Sequence, residues 1–129
     1  AFDAMGITAE TVADRWKISR PDQEAFALGS HMKAEAARAS GRFAAEMVAV
    51  AGVAEDGCIR PDTSAEALAA LKPAFLADGT VTAGTSSPMT DGAAAVLVCS
   101  EDFARRRNLT PLARIASFAV AGCAPEIMG

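Results

Sequence analysis

The sequence predicts an α/β chain in two unequal parts, helix-rich over the first 80 residues and strand–helix–strand from there to the end. Three observations carry that prediction. Capped segments of helical period fill the first part. The run "AAAVLVCS" (93–100) is apolar without alternation, as in a strand covered on both faces. A capped helical segment and another long apolar run, "PLARIASFAVAG" (111–122), then follow it.

"GITAETVADRW" (6–16) reads as a short helix, with Thr8 as N-cap, Glu10 in the first turn, and Val12 and Trp16 on one face. "SRPDQEAFALGSHMKAEAARASGRF" (19–43) is the clearest helix. Ser19 and Asp22 form a capping-box-like pair, and Pro21 sits where its missing N–H is harmless. Ala25, Leu28, Met32 and Ala36 predict its buried stripe, and Ser40-Gly41 its end. "AEMVAVAGV" (45–53) reads as a strand, followed by a turn at Glu55-Asp56-Gly57.

Thr63 and Glu66 open a further helix in "TSAEALAALKPAF", with Leu68 and Leu71 on one face and Pro73 as its stop. "GTVTA" (79–83) reads as a short strand. In "SEDFARRRNL", Ser100 caps, Glu101 and Asp102 occupy the positive end, and Arg105 to Arg107 the negative end, giving a helix of about two turns.

With 129 residues the chain is long enough for one cored domain. Its net charge of −4 argues against nucleic acid, whose binding relies on basic patches. No apolar run approaches the roughly 18–20 residues needed to span a bilayer, and the start "AFDAMGITAE" has no signal-peptide pattern. Cys58, Cys99 and Cys123 are an odd set without metal-type spacing, so neither a metal site nor a disulfide framework is expected. The cytoplasm is the expected compartment. A start without methionine and an end at "APEIMG" read as those of a piece of a longer chain.

No residue type stands in a self-sufficient catalytic setting. A nucleophilic cysteine needs its thiolate stabilised, whereas Cys99 lies in an apolar run that reads as buried. His31, the sole histidine, has no nucleophile beside it; support within the fold and contact with a ligand both remain open. Asp91 reads as the N-cap of a short helical turn. The hydroxyls from Thr82 to Thr90 serve either a ligand or their own loop backbone, and periodicity does not choose.

The segment "RPDTSAEALAALKPAFLADGTVTAGTSSPMTDGAAAVLV" closely resembles thiolases, as do "MGITAETVA", "SRPDQEAFALGSH" and "PLARIASFAVAGCAPEIMG". The resemblance covers essentially the whole chain. It implies part of the five-layer αβαβα thiolase fold: a coenzyme A-covering loop domain at 1–86, the end of the N-terminal half at 87–111, and the first strand of the C-terminal half at 112–129. It also implies acyl transfer between a 3-ketoacyl-CoA and CoA, with CoA or acyl-CoA as substrate and no permanent cofactor. The parent is implied to be a homo-oligomer, dimer or tetramer.

By the same resemblance, Ser87 of the "TAGxxS" segment lies beside the pantetheine, and Arg60 meets the nucleotide, where a guanidinium suits phosphate or an adenine face. Phe75 and Met5 wall the pantetheine and acyl pocket, Ala83 and Gly84 let the ligand approach the backbone, and His31 aligns with a polar position near the cleft. Ala4, Ala67 and Thr85 depart from a frequent histidine, serine and asparagine, and "AVAGVAEDGC" is shorter than in many relatives. Ala4 tilts the expectation toward a degradative enzyme of broad chain-length tolerance.

The family's nucleophilic cysteine, "NEAF" asparagine, "GHP" histidine and second cysteine are not found here. The chain alone is therefore expected to bind without catalysing. The rival expectations are a non-catalytic CoA-binding module and a structural or oligomer-forming fragment.

Overall fold

The computed structural model describes residues 4–128, so the outer limits expected at 1 and 129 lie outside the described residues. The chain divides into two compact units, Ala1–Pro88 with Cys123–Gly129, and Met89–Gly122.

Helix α1, Met5–Trp16, begins earlier than the capping pattern predicts. Ala4 holds the N-cap position, and its carbonyl accepts from the N–H groups of Ile7 and Thr8 at 2.8 and 3.2 Å. Thr8, expected as the cap, is buried within the first turn and donates its hydroxyl to the Met5 carbonyl at 2.8 Å. Lys17 closes the helix in the left-handed region at φ 55°, its N–H turned back on the carbonyls of Ala13 and Asp14. A 3-10 turn at Pro125–Ile127 packs on α1.

Helix α2, Arg20–Ala39, starts as its sequence predicts: the Ser19 hydroxyl accepts from the Asp22 N–H, and Pro21 lies in the first turn. It ends at Ser40, with Gly41 at φ 72°. Its inward stripe differs from the expected one. Of the expected residues Leu28 is half-buried but Ala25, Met32 and Ala36 are exposed, while Arg20, Gln23, Ala27, His31 and Ala34 are half-buried and Glu24 is buried. An alanine-rich helix has two stripes of similar apolarity, and here a polar tie selects between them. Arg20 bonds Glu24 through Nε at 2.6 Å and reaches the carbonyls of Leu68, Ala69 and Leu71 through Nη2.

Those carbonyls lie at and just beyond the end of α3, Ala65–Ala69, where the negative end of a helix favours a cation. The cap of α3 is Ser64, one residue beyond the expected Thr63, and its hydroxyl accepts from the Ala67 N–H at 3.1 Å. Leu68 is buried and, with Ala13 and Val81, makes the small apolar core of this unit among the described residues.

The expected strands do not form among the described residues. At 45–53 the chain instead turns, with Ala51 at φ 50° and Gly52 at φ 85°, and Val50 and Val53 exchange both backbone hydrogen bonds at 3.0 Å. Two successive positive φ angles make this a tight reversal. "GTVTA" contributes only a bridge between Thr82 and Pro73. The runs at 93–99 and 111–122 form no strand and are exposed, and no helical turn follows Asp91. A lone β segment has no neighbour to satisfy its backbone groups, whatever its side-chain pattern. Cys99, expected to be buried, is exposed for the same reason. Between these runs α4, Glu101–Arg106, forms as predicted, with Ser100 accepting from the Phe103 N–H at 3.2 Å.

Val96, Leu97, Val98, Leu112, Ile115, Phe118 and Val120 are all strongly exposed. Unpaired apolar backbone of this kind invites association. The 129-residue chain is expected to show a sedimentation coefficient that rises with concentration; a concentration-independent monomer contradicts this.

Candidate functional site

The site is built on a carboxylate. Glu10, on α1, is buried, and residues 79–82 wrap around its head group. The Thr80 N–H donates to both oxygens at 3.0 and 2.9 Å, the Thr80 hydroxyl donates to Oε2 at 3.0 Å, and the Val81 N–H donates to Oε1 at 2.9 Å. Burial pushes the Glu10 carboxyl up, but the N–H groups of Thr80 and Val81 and the Thr80 hydroxyl together hold it below the ordinary carboxylate value. Gly79 makes the approach possible, since a Cβ there lies 2.2 Å from Oε1. The Thr80 hydroxyl also accepts from Gln23 Nε2 of α2 at 3.0 Å, joining both helices to one segment.

From this anchor the chain enters a loop closed by its own hydroxyls. Thr82 is fully buried, and its N–H donates to Thr85 Oγ1 at 3.0 Å. Its carbonyl accepts from Ser86 Oγ at 2.8 Å and Thr85 Oγ1 at 3.2 Å, while its hydroxyl accepts from the Gly84 N–H at 3.2 Å. Thr82, Thr85 and Ser86 therefore serve their own backbone. Ser87, next along, is exposed and, with Thr85 and Ser86, lines a cavity.

That open cavity, about 840 Å³, lies between α2 and this loop. Ile18, Phe26 and Ile59 give it apolar walls, and His31, Gly84 and Ser87 supply three of the seven expected ligand residues. Arg60 is attached through its backbone: its N–H donates to His31 Nδ1 at 3.1 Å, tying the segment at 58–60 to α2. Cys58 also lines the cavity, and its N–H donates to Asp56 Oδ1 at 2.7 Å. Gly84 has a packing role the sequence does not reveal, because a Cβ there meets Leu68 and Leu71 at 2.5 and 2.7 Å.

The remaining expected residues lie apart from the cavity lining. Phe75 stands over Gly6, where a Cβ would fall 2.2 Å from the ring, and so lies beside the start of α1 that carries Met5. Both are substantially exposed, as is Ala83. Glu10 and Gln23 are the supporting residues that sequence reasoning missed; no local pattern signals contacts across 70 and 57 positions. Among the described residues, no cluster of three or more His, Cys, Asp or Glu is arranged to hold a metal ion, and no helix is long and apolar enough to cross a membrane.

The family model for the thiolase N-terminal domain matches residues 2–102. An acetyl-CoA acetyltransferase of Paracoccus denitrificans is 53% identical over 97% of this chain and 34% of its own length. A 3-ketoacyl-CoA thiolase of Cronobacter sakazakii is 53% identical over all of this chain and 36% of its own. The chain thus spans about a third of the length of the curated relatives it matches. Among solved structures, human mitochondrial 3-ketoacyl-CoA thiolase in complex with CoA aligns with a TM-score of 0.91 at 44% identity, over 96% of this chain and 32% of that one. The acetyl-CoA acetyltransferase of Bacillus anthracis gives a TM-score of 0.87 at 41% identity, covering 96% and 34% respectively.

Two glycine substitutions are expected to act in opposite directions in urea unfolding. Gly6→Ala forces the Phe75 ring to move and costs about 1–3 kcal/mol. Gly29→Ala, within α2 and with nothing near its Cβ, gains about 0.5–1 kcal/mol. Equal effects from the two contradict the Gly6–Phe75 contact.

Proposed function

The chain belongs to the thiolase family, and from that membership we propose that it supplies the coenzyme A-binding surface of a thiolase acting on 3-ketoacyl-CoA. The observation that carries this is the meeting of His31, Gly84 and Ser87 on one cavity, with Arg60 fastened to His31 beside it. Apolar walls with a few convergent polar groups suit a long, flexible arm that carries amides. Ser87 bonds a polar atom of the pantetheine, and the Arg60 guanidinium meets the phosphates or the adenine. Met5 and Phe75 wall the acyl end, and Ala83 and Gly84 let the thioester arm pass close to the backbone.

Residues 1–86 serve as the loop domain over CoA, 87–111 as the end of the N-terminal half, and 112–129 as the first strand of the C-terminal half. In the whole enzyme a cysteine thiolate attacks the 3-keto carbon and the C2–C3 bond breaks, a second cysteine protonates the departing acetyl-CoA enolate, and the thiol of free CoA takes the acyl group from the first cysteine and frees it. Both cysteines lie in polypeptide outside this segment, so the segment binds and orients while the chemistry is done elsewhere. The enzyme works as a degradative, cytoplasmic homo-oligomer in fatty acid β-oxidation.

Calorimetric titration with CoA tests this. Ser87→Ala is expected to weaken binding about fivefold and Arg60→Ala about tenfold or more. Unchanged affinity in both variants overturns it, and absence of any CoA-dependent shift in melting temperature favours a purely structural segment. Thiolysis by the 129-residue chain alone overturns the division of labour.

A further inference from the structure

The buried carboxylate of Glu10 is not part of the cavity lining, yet the chain that enters the cavity loop is bonded to it on one side, while the Ala74 N–H and a bridge from Pro73 hold residues 81 and 82 on the other. Residues 80 and 81 are held by it directly, residue 82 is the hub for Thr85 and Ser86, and Ser87 follows without a break. We propose that Glu10 is a positioning residue for coenzyme A, setting the register of the loop that presents Ser87. This rests on the functional reading above.

Three features make Glu10 specific to this task, beyond general packing. The carboxylate takes donors from two successive backbone N–H groups, which fixes the direction of the chain entering the loop as well as its location. Gly79 is stripped of a side chain where the carboxylate sits. The Thr80 hydroxyl passes the constraint to Gln23, which itself lines the cavity, so one carboxylate sets the loop against the facing helix. A neutral amide in its place keeps the shape but brings N–H groups against N–H groups on one side.

The test uses steady-state thiolysis by the full-length enzyme that carries this segment, with coenzyme A as the varied substrate. Glu10→Gln is expected to raise the KM for CoA about five- to tenfold while kcat stays within about twofold. Thr80→Val keeps the N–H groups and removes the hydroxyl, and with it both the bond to Glu10 and the acceptor for Gln23. It is expected to shift KM the same way by about two- to threefold and to add less than that in the double variant. Ser100→Ala, which removes the cap of α4, controls for general loss of stability and leaves the KM unchanged.

A Glu10→Gln enzyme with lowered melting temperature but wild-type KM, alongside a raised KM in Ser87→Ala, overturns the inference and spares the CoA reading. Wild-type KM in both overturns the two together. If Glu10→Gln does not fold, the Thr80→Val shift decides.

Stability gives an independent readout of the same contact. The folded Glu10 pKa lies below its unfolded value, so its contribution is full above the ordinary carboxylate range, about pH 4.3, and is lost as pH falls through the folded value. Glu10→Gln is expected to flatten the acid limb of a melting temperature–pH profile; a limb identical to wild type contradicts the clamp.

Discussion

A single buried carboxylate organises the larger unit. Its apolar core is slight, with Ala13, Leu68 and Val81 as the buried hydrophobic residues among those described there. So small a core leaves polar ties to specify how the pieces meet. Glu10 binds α1 to the segment at 79–82, Thr80 extends the tie to α2, and Arg20 ties α2 to the end of α3. The ties made by Glu10 and Arg20 each join a charged side chain to several backbone groups. Such bonds are stronger than neutral ones, and each loses much when one partner goes.

What the sequence made legible follows from the range of each interaction. Ser19, Pro21 and Ser100 act within one helical turn, and their caps formed where predicted. Thr8 and Thr63 failed as caps because neighbouring residues, Ala4 and Ser64, started the helices. The inward face of α2 was misread because Arg20 and Glu24, rather than an apolar stripe, choose it. Segments 93–99 and 111–122 have the side-chain pattern of buried strands, but pairing depends on neighbours that local pattern cannot supply.

The site was legible to a similar degree. Three of its expected residues share the cavity and a fourth is bonded to one of them, yet the reason the loop holds its shape was invisible. Hydroxyl-rich stretches invite a choice between ligand and backbone. Here Thr82, Thr85 and Ser86 close the loop on its own backbone, while Thr85, Ser86 and Ser87 all line the cavity. Gly84 likewise serves two masters, admitting the leucines of the α3 region on one side while lining the cavity.

The bond from Arg60 to His31 fixes more than a loop. With Nδ1 already engaged as an acceptor, the neutral imidazole carries its hydrogen on Nε2. The free edge of that ring is then a donor, complementary to a carbonyl or phosphoryl oxygen and mismatched to an amide N–H. The tautomer thus gives the cleft a chemical polarity of its own.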